Sequence, residues 1–250
     1  MFKRHTFLLL LSFIFLSSCA TTNPAQNKRE SLIYYEMGRN IVYHKDIKAL
    51  PQAFTYLEHA RKLDPSNPQI YYMIGMAYRL RGEREKAKNY FLQAIERDKK
   101  FGDAYNALGI AYAEDNEFEK AIQCFTKLID DPTYPHPDLA YYNRASVYMK
   151  LKNYEKAEED LEDAIAFSNG ENRDYLQALS FLYIAKKDYW KALITMNKIA
   201  EKFGMTDDIK YYKGYCYLKL SLRKRAENIL HSIDKKSPFY KRACELLKNR

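Results

Sequence analysis

Alanines stand at positions 53, 87, 121, 157, 192 and 226, separated by 34, 34, 36, 35 and 34 residues. Twelve residues before five of them lies another small residue: Gly75, Gly109, Ala145, Ser180 and Gly214. In the first unit the small residue is Gly38, fifteen before Ala53, which places a three-residue insertion around His44–Leu50. Three residues after the small position come Ile41, Tyr78, Tyr112, Tyr148, Tyr183 and Tyr217, and four after each alanine come Leu57, Phe91, Phe125, Leu161, Met196 and Leu230. A fixed period of this length is the signature of stacked supersecondary units that bury their apolar faces against their neighbours. Two helix axes can approach closely only where no side chain separates them, so the small residues mark a crossing and the large ones fill the space beside it. A heptad would not place alanine at such intervals.

Composition narrows the element type to helix. The chain has 8 glycines and 8 prolines against 23 tyrosines, too few turn residues for a sandwich, barrel or many-stranded sheet. Hydrophobic residues make up 47% and charged residues 29%, which excludes wholesale disorder and low-complexity classes.

The spacing resembles the tetratricopeptide (TPR) family, whose helix pairs carry small residues at repeat positions 8 and 20 and large ones at 4, 11 and 24. That resemblance implies an all-α, right-handed α-α superhelix, a solenoid of six repeats. The units run 31–67, 68–101, 102–137, 138–172, 173–206 and 207–240. Position 32, usually a helix-ending proline, holds Pro65, Lys99, Thr133, Asn169, Gly204 and Pro238. Asn169 and Gly204 can end a helix through a left-handed backbone instead. A capping helix is expected to begin near Pro238 and to include residues 241–250, with Phe239, Tyr240, Ala243, Leu246 and Leu247 on its apolar side.

The amino terminus carries a different signal. Lys3, Arg4 and His5 precede an apolar run from Phe7 to Leu16, too short for the roughly 20 residues of a membrane-spanning helix. The run ends in Leu16-Ser17-Ser18-Cys19, which resembles the bacterial lipobox. The expectation is a signal peptide over 1–18, cleavage before Cys19, and covalent lipid on that thiol. Ala20, in place of the aspartate that retains many lipoproteins at the inner membrane, implies the outer membrane, with the protein facing the periplasm. Residues 19–30 contain no large apolar side chain after the cysteine and read as a flexible tether. Membrane contact is expected through the lipid alone.

The formal charge is +9, or +7 once Lys3 and Arg4 are removed with no acid, and both signs are interspersed, as in Glu83-Arg84-Glu85-Lys86. This suits solvated helix faces and not a nucleic-acid partner. Beyond Cys19 there are Cys124, Cys216 and Cys244, an odd number. They read as buried thiols, with a Cys216–Cys244 bridge as the alternative. His44, His59, His136 and His231 lie in different units without metal-ligand spacing, and no Walker loop, GxGxxG or GxSxG occurs. His136-Pro137-Asp138 matches the loop signature of J-domain cochaperones, but their dedicated domain is missing, so it reads as an inter-repeat linker. The sequence therefore points away from an enzyme, a cofactor or a small-molecule substrate, and toward protein binding.

By resemblance, positions 2, 5, 9, 12 and 13 of each first helix line the TPR groove. They include Tyr35, Arg39 and Tyr43; Tyr72, Met76 and Arg79; Tyr142; Phe181; and Tyr211 and Tyr215. Tyrosine gives large contact area at low rotamer cost, and arginine is the other frequent anchor of interfaces. Packing of the repeats on one another would use the same rings. The third unit differs, with Asp103, Asn106, Ala113 and Glu114 in the row. Within the TPR class the chain resembles the type IV pilus lipoproteins of the PilF/PilW/Tgl type, the pilotins of the pilus secretin. These have six repeats behind a lipobox and a Tyr-Pro insertion between the third and fourth units, with an asparagine eight residues after that proline. Here the insertion is Tyr134-Pro135 and the asparagine Asn143. The resemblance implies a secretin subunit as partner and support of its outer-membrane localisation and multimerisation. The alternative is a TPR scaffold that recruits murein hydrolases, proteases or envelope-assembly proteins.

Overall fold

Asn23 and Pro24 start the first helix in the way short polar residues and proline usually do. The Asn23 side chain accepts a 3.0 Å hydrogen bond from the Ala25 N–H, and proline at the first helical position gives up a donor that would be unpaired anyway. The computed structural model describes residues 23–248. The signal peptide, Cys19 and residues 20–22 lie outside them, as do residues 249–250. One expectation is corrected here: the stretch 24–30, read as tether, is helical. It lacks apolar residues because it projects as an exposed extension of a helix that buries only Ser31, Tyr35, Gly38 and Val42.

The described residues form thirteen helices and no strand. In chain order they are α1 (Pro24–Tyr43), α2 (Leu50–Leu63), α3 (Pro68–Leu80), α4 (Arg84–Arg97), α5 (Gly102–Glu114), α6 (Phe118–Ile129) and α7 (Pro137–Lys150), followed by α8 (Tyr154–Phe167), α9 (Arg173–Ala185), α10 (Tyr189–Phe203), α11 (Asp207–Lys219), α12 (Arg223–His231) and α13 (Pro238–Lys248). None is long and apolar enough to cross a membrane. The helices form two compact units that divide between Phe101 and Gly102.

The turn inside each later pair is three residues long, and its middle residue takes a left-handed backbone: Gly82, Asn116, Lys152, Lys187 and Ser221. The geometry closes the first helix with a Schellman motif. In the second pair the Glu83 N–H donates to the Tyr78 carbonyl at 3.0 Å and the Gly82 N–H to the Arg79 carbonyl at 3.0 Å. Four of the five positions hold a residue with a Cβ, which costs roughly 1–2 kcal/mol in this conformation. The corresponding turn of the first pair spans 44–49, the site of the insertion.

In the first unit, α1–α4 pack through Tyr35, Val42, Leu57, Ile70 and Ile74. A Cβ on Gly75 would lie 2.6 Å from the Phe91 ring, so the residue four after the alanine sits directly on the small residue of the opposite helix. In the second unit, α5–α13 share the same crossing. All six periodic alanines are 0% exposed, and the large residues that follow them are at most 1% exposed. The Tyr-Pro insertion adds a wedge: the Tyr134 ring covers Gly102 at the start of α5, where a Cβ would meet it at 2.5 Å. At the carboxyl end, α13 lays Phe239, Ala243, Leu246 and Leu247 against α11 and α12. Asn169, just past the end of α8, adopts φ 52°. Gly204, just past α10, ends its helix differently from the left-handed turn expected, with φ 89° and ψ 156°, an extended positive-φ conformation open essentially to glycine alone.

Candidate protein-binding surface

The first helix of each pair holds the rings assigned to a groove, and the structure sorts them by exposure. In the first unit, α1 presents Arg39 and Tyr43 outward. Arg39 pairs with Glu36 at 2.6 Å, and Tyr43, 77% exposed, meets His44 edge-on at 5.5 Å. Tyr35 does not belong with them. It is 8% exposed and packs in the core, because Ser31, Tyr35, Gly38 and Val42 recur at helical spacing on the α1 face turned to its neighbours. That spacing was available in the sequence. On α3, Tyr72, Met76 and Arg79 are half-buried. The Tyr72 ring lies 5.9 Å from Phe91 and 5.4 Å from Phe101, so part of its area already serves packing.

In the second unit the rings form pairs between successive first helices. Tyr142 of α7 lies 4.9 Å from Tyr175 of α9, Phe181 of α9 lies 4.7 Å from Tyr212 of α11, and Tyr211 of α11 lies 5.6 Å from Phe239 of α13. Offset and edge-on contacts of this kind add about 0.5–1.5 kcal/mol beyond burial. Tyr215 meets Tyr189 at 6.3 Å, and burial pushes its hydroxyl pKa up. Tyr142, Phe181, Tyr211 and Tyr215 all stay half-exposed. The partner rings Tyr175 and Tyr212 carry no groove assignment in the sequence, although each stands close to one repeat from its assigned ring, and Phe239 belongs to the apolar side of the capping helix.

The third repeat breaks the aromatic row with a polar notch. Asn143 of α7 donates to the Asn106 side chain of α5 at 2.8 Å, and Lys150 donates to the Ala113 carbonyl at 3.2 Å. Between these bonds lies a crevice of about 140 Å³, lined by Ile110, Ala113, Glu114, Ser146 and Lys150 with Phe125 below. The asparagine that follows the Tyr-Pro insertion thus ties two first helices together at the mouth of a small cavity.

The tyrosines at repeat position 11 carry a recurring cation contact. A lysine eight residues later, just before the periodic alanine, holds its ammonium over the ring: Lys86 over Tyr78 at 5.4 Å, Lys120 over Tyr112 at 5.2 Å, Lys156 over Tyr148 at 5.5 Å and Lys191 over Tyr183 at 5.1 Å. The constant eight-residue interval was the available signal. Electrostatics also cross the helices at Arg144, which bonds both Asp160 oxygens at 2.9 and 2.7 Å and the Thr126 hydroxyl at 2.8 Å. The Asp160 hydrogen bonds raise the Arg144 pKa against the opposing effect of burial. Cys124, Cys216 and Cys244 are free thiols, and burial pushes Cys124 up to about 11 and Cys216 up to about 12. His136 occupies the N-terminal boundary of α7 and offers its carbonyl, not its side chain, to the first turn, and Asp138 accepts a 2.9 Å bond from the Tyr175 hydroxyl, so His136-Pro137-Asp138 serves a helix start.

Residues 68–101, 90–123 and 139–168 each match the tetratricopeptide repeat family. RNA polymerase II-associated protein 3 of Rattus norvegicus is 38% identical over 91 residues, covering 34% of this chain and 14% of that protein. The chain therefore spans a small part of that relative's length. Among solved structures, PilW, described as a widely conserved type IV pilus biogenesis factor, superposes with a TM-score of 0.74 at 19% identity over 86% of this chain and 98% of its own. PilF of Pseudomonas aeruginosa gives a TM-score of 0.72 at 17% identity over 88% of this chain and 98% of its own. At these identities the likeness shows a shared TPR fold. TPR proteins as a class bind protein partners.

Proposed function

We propose that this TPR scaffold is a pilotin-type lipoprotein, lipid-anchored at the outer membrane and facing the periplasm, which binds the type IV pilus secretin and supports its localisation and multimerisation. The observation that carries the reading is the row of half-exposed rings on successive first helices, Tyr142, Phe181 and Tyr211, each held by a ring on the next helix. Rings fixed in this way lose little further entropy on binding, which favours apolar partner segments. The fold shared with PilF and PilW, the lipobox ending at Cys19, and the Tyr134-Pro135 insertion with Asn143 support the pilus assignment. Because α1 starts at Pro24, an anchor on Cys19 would leave a connection of about 18 Å at full extension, from roughly 3.6 Å per residue. The first repeat would then work close to the bilayer. Affinity capture from detergent-solubilised envelopes tests the proposal. The secretin should be recovered with the wild-type chain; recovery of murein hydrolases in its place would overturn the pilotin reading in favour of a general scaffold.

A further inference from the structure

Helix α10 departs from the other second helices at two outward positions. Two residues before and two after the periodic alanine, the other repeats expose Pro51 and Thr55, Glu85 and Asn89, Glu119 and Gln123, Glu155 and Glu159, and Lys224 and Asn228. In α10 the same places hold Trp190 and Ile194, 54% and 55% exposed, one helical turn apart on one face. Large apolar side chains rarely stand together in water without a use, and tryptophan is enriched among the residues that dominate interfaces.

Beside them is a solvent-open cavity of about 440 Å³. Its floor is Leu176 and Leu179 of α9, one wall is Ile165 and Glu162 of α8, and the other wall is Ile194 and Lys198 of α10. The volume falls within the range of pockets that enclose a ligand group. Charge then selects the occupant. Helix α8 carries six carboxylates against one lysine, in a chain whose net charge is +9. Asp160 is bound to Arg144, and Glu158 to Lys186 and Lys191. The remaining four, Glu155, Glu159, Glu162 and Asp163, are exposed on one face of α8 and form no ion pair or hydrogen bond among the described residues.

We infer that the α8–α10 face is a second docking site, for a partner protein segment in which a bulky apolar side chain is flanked by lysines or arginines. The apolar side chain enters the cavity beside Ile194 and packs on Trp190, while the cations meet the four carboxylates of α8. The site lies on the second helices α8 and α10 over a floor from α9, and it does not depend on the aromatic row of the first helices or on the pilus reading.

Trp190 is the single tryptophan of the chain, so its emission reports the site directly. The full chain is titrated with an amphipathic peptide of leucines at helical spacing with lysines between them, and with a twin carrying glutamates in place of the lysines. The lysine peptide should shift Trp190 emission to the blue, saturably, and bind at least about tenfold more tightly than its twin, a preference that added salt erodes. Ile194→Asp should abolish the shift, and Glu159→Gln with Glu162→Gln should remove most of the preference, with circular dichroism unchanged in both. Equal binding of the twins, or an emission that never moves, would overturn the inference. So would a blue shift driven by protein concentration alone, which assigns the face to a second copy, or one driven by phosphatidylglycerol vesicles, which assigns it to lipid.

Discussion

Gly75→Ala places a methyl 2.6 and 2.7 Å from two carbons of the Phe91 ring, with the Ala87 carbonyl 3.2 Å away. Ordinary carbon contact begins near 3.5 Å, so the ring would have to retreat by most of an ångström. Phe91 is 0% exposed, which leaves it no direction in which to move freely. Overpacking of this kind costs about 1–3 kcal/mol, offset by the roughly 0.5–1 kcal/mol that alanine gains over glycine inside a helix. The net expectation is a loss of about 1 kcal/mol where helix propensity alone predicts a gain. Phe91→Ala should cost about 3–5 kcal/mol by itself. In that background the clash is gone, so Gly75→Ala should turn stabilising, giving a coupling of about 1–3 kcal/mol. Urea denaturation of the four proteins, followed by far-UV circular dichroism, closes the cycle. If Gly75→Ala stabilises the wild type, or acts equally in both backgrounds, Phe91 does not press on the small residue as described.

Other positions give expectations of different sign. Lys152→Gly and Lys187→Gly, at φ 57° and 61°, should each stabilise the fold by up to about 1 kcal/mol, seen as raised urea midpoints, since glycine relieves the left-handed strain. Asp160→Asn should cost about 1–3 kcal/mol in the same assay, because it deprives the half-buried Arg144 guanidinium of its carboxylate while the Thr126 hydroxyl remains as a partner. Burial acts to raise the Glu158 pKa, but bonds from Lys186, Lys191 and Tyr183 outweigh it and hold the carboxyl below the usual glutamate range. Its stabilising contribution is thus complete above about pH 4.3 and is lost as pH falls through the lower folded value, so Glu158→Gln should flatten the acid limb of a stability–pH curve. For the anchor, Cys19→Ser should abolish palmitate labelling and release the chain from the membrane fraction.

Much of the fold was legible because close helix approach admits few residue types. The alanines at 53, 87, 121, 157, 192 and 226 had to be small, and burial at each follows from the same constraint. Helix α1 was harder to bound, since residues 24–30 carry no apolar periodicity; only the Asn23-Pro24 start marked it. The surface was less legible than the core. A tyrosine can pack with its ring and still expose an edge, so Tyr35 and Tyr43, eight residues apart on one helix, end at 8% and 77% exposure. Which ring stacks on which depends on how successive helices sit, as with Phe181 on Tyr212, and no single repeat contains that information. The cavity beside Ile194 is likewise a product of three helices from two repeats.

If the half-exposed rings of the first helices hold a secretin segment, as proposed, their loss should block its assembly. Tyr142→Ala combined with Phe181→Ala removes two such rings, each worth about 2 kcal/mol if it anchors the partner. Tyr35→Ala is unsuitable for this purpose, because it would open the core. The measurement is the amount of heat-resistant secretin oligomer in outer membranes that contain wild-type or doubly substituted protein at equal abundance. The oligomer should fall to the level of a strain lacking the protein; unchanged oligomer in the double variant would contradict a role of these rings in holding the secretin.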